Sequence, residues 1–261
     1  MANQSLTVWL KDEGIKKKIA ETLGKKAAAF SSAMLNIYQS DKRLQECDGR
    51  SILGAGMLAA TMDLSITPSL GQAYIVPFKG KATFQIGAKG LVQLAHRTGK
   101  YVALHAGKVY EGELRGFDPI TGEPEVGEKI SDNVVGYVAY MRLVNGFEKT
   151  LFMTTAEIEA HAKKYSQSYG KSYSPWTTNF EAMASKTVLK KLLKDWGPLS
   201  QDMAEALQAD QSVVDKNTFT YVDNGGNVQT RDDLYLPEEE STVDVETGEV
   251  VEAEIVSWQR N

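Results

Sequence analysis

Cysteine is almost absent: Cys47 stands alone, so no internal disulfide can form, and no second thiol is present to share a metal with it. The three histidines, His96, His105 and His161, are too scattered for an H-E-x-x-H helix or a Cys/His metal site. There is no G-x-x-x-x-G-K-[ST] phosphate loop, the usual sign of an ATP-driven motor. Nor is there a [DE]-x-K triplet of the kind that accompanies Mg²⁺ nuclease carboxylates. No run approaches about 18 apolar residues, and MANQSLTVWLKDEG lacks a basic stretch followed by an apolar one. These absences predict a cytoplasmic protein with no membrane partner, no ATP and no catalytic metal. The last absence is of one charge: between Asp63 and Glu111 no carboxylate occurs, whereas Lys79, Lys81, Lys89, Arg97, Lys100 and Lys108 do.

What is there is uneven. The 261 residues, 42% hydrophobic and 24% charged, suit one substantial domain with an appendage, or two small domains. The net charge of −5 hides an asymmetry. Residues 1–200 carry 26 Lys and Arg against 19 Asp and Glu, a net +7; the remainder carries 3 against 15, a net −12. A basic body with an acidic tail fits a polyanionic partner for the body, and equally a solvated surface with a solubility tail.

Helical spacing of Ile15, Ile19, Leu23, Ala27, Phe30, Met34 and Ile37 predicts a helix over 12–41, which Gly24 can break in two. Ser51 is placed to cap a second helix, whose GAGMLA matches G-x-G-x-x-A. Without a preceding strand this motif reads as close helix packing rather than dinucleotide binding. QAYIVPF and KATFQIG predict a hairpin about Gly80, residues 88–99 a helix, and YVALHAGKVY a strand. ELRGFDPITGEPEVGE reads as an exposed acidic hairpin or loop. NVVGYVAYMRLVNG and FEKTLFMT predict a hairpin about Asn145-Gly146. Thr154 or Thr155 opens a helix with Glu157 placed for a capping box, and Pro175 starts a long helix over 175–195. After about residue 211 the pattern fades. The class is α+β: an antiparallel sheet of hairpins packed on helices, a core over 1–205, and a flexible acidic tail over 206–261.

Two helix faces carry the chemistry. At about 100° per residue, Lys89, Gln93, Arg97, Lys100 and His96 share one side of the 88–99 helix, opposite Leu91, Val92, Leu94 and Ala95. On the long C-terminal helix, Lys186, Lys190 and Lys194 recur at i, i+4 and i+8, with Lys191 at their edge, opposite Val188, Leu189, Leu192, Leu193 and Trp196. Like charges at that spacing oppose helix formation, so a bare row points to phosphate contacts. Aromatics are interleaved, each readable as a core residue first and a base-stacking platform second, and Tyr74, Phe78 and Trp176 are the stacking candidates. Phe30, Met34 and Ile37 are candidates for contact between subunits.

PSLGQAYIVPF…FQIGAKGLVQLAHRTG at 68–99 and SPWTTNFEAMASKTVLKKLLKDWGPLS at 174–200 resemble the two signature segments of the RecT/Redβ single-strand annealing proteins of phages and prophages, in order and spacing. The resemblance runs from about residue 30 to 205. It implies single-stranded DNA binding without ATP, assembly into rings or helical filaments, and annealing of complementary strands in recombination inside a bacterial cell. Its partners would be a 5′→3′ exonuclease and a host single-strand binding protein. By position it places the basic residue of G-x-[KR]-G at Lys89 and the Arg of R-[ST]-G at Arg97. In the second segment it points to Lys186-Thr187 and Lys190-Lys191. Ala88 stands where the family often has Tyr. A strand-protecting module without annealing, and a nuclease with carboxylates drawn from distant segments, stay open as alternatives.

Overall fold

A computed structural model describes residues 5–166, 168–215, 218–221 and 227–229, with side chains described as far as Val214. The acidic tail expected to be flexible lies outside the described residues from 230 onward. The first elements are helical: α1 (Leu6–Trp9), α2 (Glu13–Leu23), α3 (Ala27–Ser40), α4 (Lys42–Gln45) and α5 (Gly49–Thr61). The break at Gly24 occurs as its sequence position predicts, with φ 51° ending α2. The cap of α5 is Asp48 rather than Ser51. The Asp48 carboxylate accepts from the Ser51 amide at 3.1 Å, while buried Ser51 Oγ donates to the Asp48 carbonyl and accepts from the Ala82 amide at 2.8 Å. The GAGMLA run lies inside α5 and packs tightly, as its helical setting predicts. A Cβ on Gly56 would fall 2.3 Å from Met34 Sδ, and one on Gly54 2.9 Å from the Val214 carbonyl oxygen.

β1 (Ala73–Phe78) and β2 (Lys81–Ile86) form the first hairpin, through Lys79 and Gly80 at φ 46° and 77°. Both residues take the left-handed region, the geometry of a tight turn matched to strand twist. Then follow α6 (Ala88–Arg97), β3 (Tyr101–Tyr110), a short acidic hairpin of β4 (Leu114–Phe117) and β5 (Pro124–Val126), β6 (Val134–Leu143) and β7 (Glu148–Thr154). α7 (Thr155–Tyr165) starts at a capping box of Thr154 and Glu157. The helix expected over 175–195 is two helices, α8 (Pro175–Thr178) and α9 (Phe180–Trp196). Asn179 leaves helical geometry at φ −152°, ψ 61°, and its side chain accepts from the Ala182 amide to cap α9.

Regular structure continues past residue 211: α10 (Gln201–Ala209) leads into β8 (Ser212–Asp215), β9 (Thr218–Tyr221) and β10 (Asn227–Gln229). β8 joins the first hairpin, Ser212 opposite Phe84, giving a sheet ordered β1-β2-β8-β9-β10; a second sheet is ordered β3-β6-β7. All pairings are antiparallel, and the α+β class is the one the sequence predicts. The expected division after residue 205 falls inside α10, and Ala206, Ala209, Val213 and Val214 beyond it are all buried.

Two apolar cores result. The larger gathers α1–α6, the first hairpin, α10 and β8; it includes Phe30 and Met34, which are therefore interior and not free for subunit contact, with Ile37 partly buried against it. The smaller lies between the β3-β6-β7 sheet, α7 and α8. α9 serves both, giving Leu189 and Leu193 to the first and Ala184, Val188 and Leu192 to the second.

Candidate nucleic acid interface

The G-A-K-G run at 87–90 seats the start of α6. A Cβ at Gly87 would lie 2.0 Å from the Gly71 carbonyl oxygen, and one at Gly90 2.1 Å from that of Gln72. Only glycine at both positions lets the first turn press against the 71–72 backbone, where the Gly87 amide donates to the Gln72 carbonyl at 2.7 Å. Lys89, between them, is exposed and lays its aliphatic stem beside Gly71. Here α6, α9 and β3 enclose a cleft of about 520 Å³. Lys89, Gln93 and Gln72 supply its polar groups with Ser185, and Val92, Ala106 and Leu189 its apolar surface. Ala88 also lines it, so the residue that replaces the expected Tyr leaves that space open.

The remaining predicted cations divide by what holds them. Lys100 is exposed at the end of α6, and neither Lys89, Lys100 nor Lys194 has an ion-pair partner among the described residues. Arg97 does not join the row: its guanidinium donates to the Met62 and Asp63 carbonyls at 2.5 and 2.6 Å and lies 3.6 Å from the Asp63 carboxylate. It closes the C-terminal end of α5, whose last carbonyls have no helical partner. Lys26 also pairs with Asp63. Lys108 pairs with Glu181 at 2.9 Å, which raises the lysine's pKa. Glu181 lies one turn before Ser185 and Lys108 two residues after Ala106, so this pair sits at one end of the cleft.

The lysine row of α9 is not bare. Asp210, almost wholly buried, accepts from Lys190 Nζ at 2.5 Å and from the Ile86 amide at 3.0 Å, with Lys186 Nζ at 4.0 Å. Burial alone would raise the Asp210 carboxyl, but Lys186, Lys190 and the Ile86 amide together hold it below its ordinary value. Burial pushes the Lys186 ammonium down, against the pull of Asp210. Burial likewise lowers His161, with Lys190, Lys191 and Lys164 adding to the effect. Lys191 pairs with Asp195 at 3.1 Å, and Thr187 Oγ1 donates to the Met183 carbonyl within its own helix. Lys190 leaves α9 about 100° round from Leu189, on a different flank from the cleft. The carboxylate-free stretch of sequence thus does not become a carboxylate-free surface: Asp63, Glu181 and Asp210 reach in from outside it.

The stacking candidates also separate. Trp176 is interior, edge-on to Tyr169 and Phe180. Tyr74, Phe78 and Lys81 share one face of the first hairpin, since Tyr74 lies opposite Gln85 and Phe78 opposite Lys81. Lys79, exposed at the turn, lies 5.1 Å from the Phe78 ring centroid. Sequence reasoning passed over Gln72, Ser185, Glu181 and Asp210, because only the fold brings them to the lysines. Among the described residues no group of three His, Cys, Asp or Glu could hold a metal, and no helix is long and apolar enough to cross a membrane.

Two relatives extend the resemblance beyond its signature segments. The Uncharacterized protein YqaK of Bacillus subtilis (strain 168) is 44% identical over 214 residues, 81% of this chain and 74% of that protein. The Protein RecT of Escherichia coli (strain K12) is 29% identical over 224 residues, 80% of this chain and 81% of that protein. The sequence model of the RecT family matches residues 28–222, a span that holds the seat of α6, the cleft, α9 and Asp210, and the chain belongs to that family of recombination and annealing proteins.

Proposed function

We propose that the protein binds single-stranded DNA along the α6 wall of the cleft and anneals complementary strands without ATP. It does so as a homo-oligomer, ring or filament, in which the clefts of successive subunits join. The observation that carries this reading is the placing of the first signature segment. Its two glycines fix the first turn of α6 so that Lys89 and Gln93 line an open cleft, with Lys100 beyond them. Cations on one wall, with no carboxylate partner among the described residues, hold phosphates without reading sequence. Annealing needs no nucleotide hydrolysis, because each base-pair step formed releases about 1.4 kcal/mol. The protein's part is to reduce strand repulsion and hold bases available, with no bond made or broken on the protein. A groove on one subunit spans only a few nucleotides, so stable pairing requires several in line. The annealing core extends through β8, and the exonuclease and host single-strand binding protein would act beside it, contacted through the tail or elsewhere.

The test is strand pairing by fluorescence quenching of labelled complementary oligonucleotides in nucleotide-free buffer. Wild-type protein should accelerate pairing, and Lys89→Glu with Lys100→Glu should abolish the acceleration while the thermal transition is retained. Binding without acceleration would make the protein a strand-protecting module, and cleavage of labelled DNA on adding Mg²⁺ would make it a nuclease.

A further inference from the structure

The cleft-facing stripe of α9 does not end at Leu189. Ser185, Leu189 and Trp196 fall within about 40° of one another on the helix, so Trp196 continues the same face about 10 Å further along. β3 runs beside it: Ala106 meets the cleft, while a Cβ at Gly197 would lie 2.6 Å from the Tyr101 hydroxyl at the other end of the strand. Trp196 is 49% exposed, whereas Trp9 and Trp176 are each 8% exposed. Lys149 Nζ stands 4.5 Å from its ring centroid and has no carboxylate partner among the described residues. The tip of the acidic hairpin makes room for that ammonium. A Cβ on Gly122 would come 2.9 Å from it, and Gly122 has φ 70°, so a side chain there would be strained as well as crowded. Lys100 belongs to the same end of the molecule, its carbonyl accepting from the Val144 amide at 3.0 Å. Phe147, 39% exposed, is held there too, its carbonyl accepting from the Leu143 amide.

We infer that Trp196 is a base-stacking platform of the DNA path, with Lys149 on one ring face, a nucleobase on the other, and Lys100 on an adjoining phosphate. This rests on the reading of the cleft as a single-strand site and names a contact the sequence had assigned to Trp176. A half-exposed indole with a cation over its ring accepts any base, because every base has a π-face and stacking needs no hydrogen-bond code. It also suits annealing, since a base held by its face keeps its pairing edge free. The exposed neighbours Val102, Val144 and Leu199 could instead be covered by a second copy of the chain, which the test must separate.

The experiment is fluorescence anisotropy of a labelled oligo-dT of about 10 nucleotides, and of an abasic strand of equal length, on the full chain. Trp196→Ala should weaken oligo-dT binding about tenfold and leave abasic binding and the salt dependence unchanged, while Trp196→Phe keeps most of the affinity. Lys149→Met should weaken both strands and lower the salt dependence. Circular dichroism and the melting temperature of each variant establish that it folds. Equal oligo-dT affinity for wild type and Trp196→Ala would overturn the assignment, as would equal losses on the two strands. Loss confined to the sedimentation of large assemblies would also overturn it and make the patch a contact between copies. If Lys89→Glu also leaves binding untouched, the cleft itself is not the DNA site; if Lys89→Glu abolishes binding and Trp196→Ala does not alter it, the stacking assignment alone fails.

Discussion

Lys89 and Arg97 sit two turns apart in the same signature segment, and the structure gives them different jobs, which salt can separate. If Lys89, Lys100 and Lys149 each hold one phosphate, the logarithm of the binding constant should fall with that of salt concentration at a slope of about −2.1 per subunit. Raising salt from about 50 to 200 mM then weakens wild type about 18-fold, and Lys89→Met, with two contacts, about 7-fold. Arg97→Met removes a charge of the same sign, yet its guanidinium is spent on the Met62 and Asp63 carbonyls. It should therefore keep the wild-type slope and lose stability, by about 1–3 kcal/mol for the carbonyls left without a partner. At about 2–4 °C per kcal/mol for a domain of this size, the melting temperature should fall by several degrees. The assay is anisotropy of a labelled oligonucleotide across a salt series, paired with thermal melts of each variant. The reasoning fails if Arg97→Met flattens the slope as much as Lys89→Met while melting at the wild-type temperature.

Three further outcomes are expected. Asp210→Ala leaves Lys186 buried without its counter-charge and should cost about 3–5 kcal/mol in urea unfolding, most of it recovered in Asp210→Asn with Lys186→Met. His161 has a lowered pKa in the fold, so the unfolded chain binds more protons below about pH 6.5. Stability should therefore decline as pH falls from about 7 to 5, and His161→Gln should flatten that decline in denaturant titrations. Ending the chain after Gln211 removes the buried Val213 and Val214 and should lower the melting temperature markedly. Ending it after Gln229 should leave both melting and oligonucleotide annealing unchanged.

The features that could be read directly from the sequence were those written within about ten residues. Strand 101–110, the Asn145-Gly146 hairpin, the Thr154–Glu157 capping box and the break at Gly24 each depend on turn chemistry or period, which neighbours in sequence decide. Lys186 and Lys190 looked bare because a helical wheel sees only its own helix. Their counter-charge, Asp210, lies 20 residues past Lys190 and is brought back to it by the turn after α9 and the length of α10. Periodicity put Trp196 on the apolar arc of its helix and left Trp176 as a stacking candidate, and the fold reverses the two: Tyr169 and Phe180 close over Trp176, whereas Trp196 is 49% exposed beside Lys149. β8 escaped notice because four residues after an acidic turn carry too weak a period, and its place in the sheet comes from pairing with Phe84 more than a hundred residues earlier.

The sharing of α9 between the two cores makes it a party wall. Neither room stands without it, since Leu189 and Leu193 face one side while Ala184, Val188 and Leu192 face the other. A chimaera joined between relatives at the loop before α8 would give each room a wall cut for a different house, and would fail even where both parents fold. Grafts that carry α9 together with β3 and β6 should be tolerated better. The same wall means that a pull on a strand of DNA lying along one side is felt on the other, so the molecule should yield to force in a single step rather than room by room.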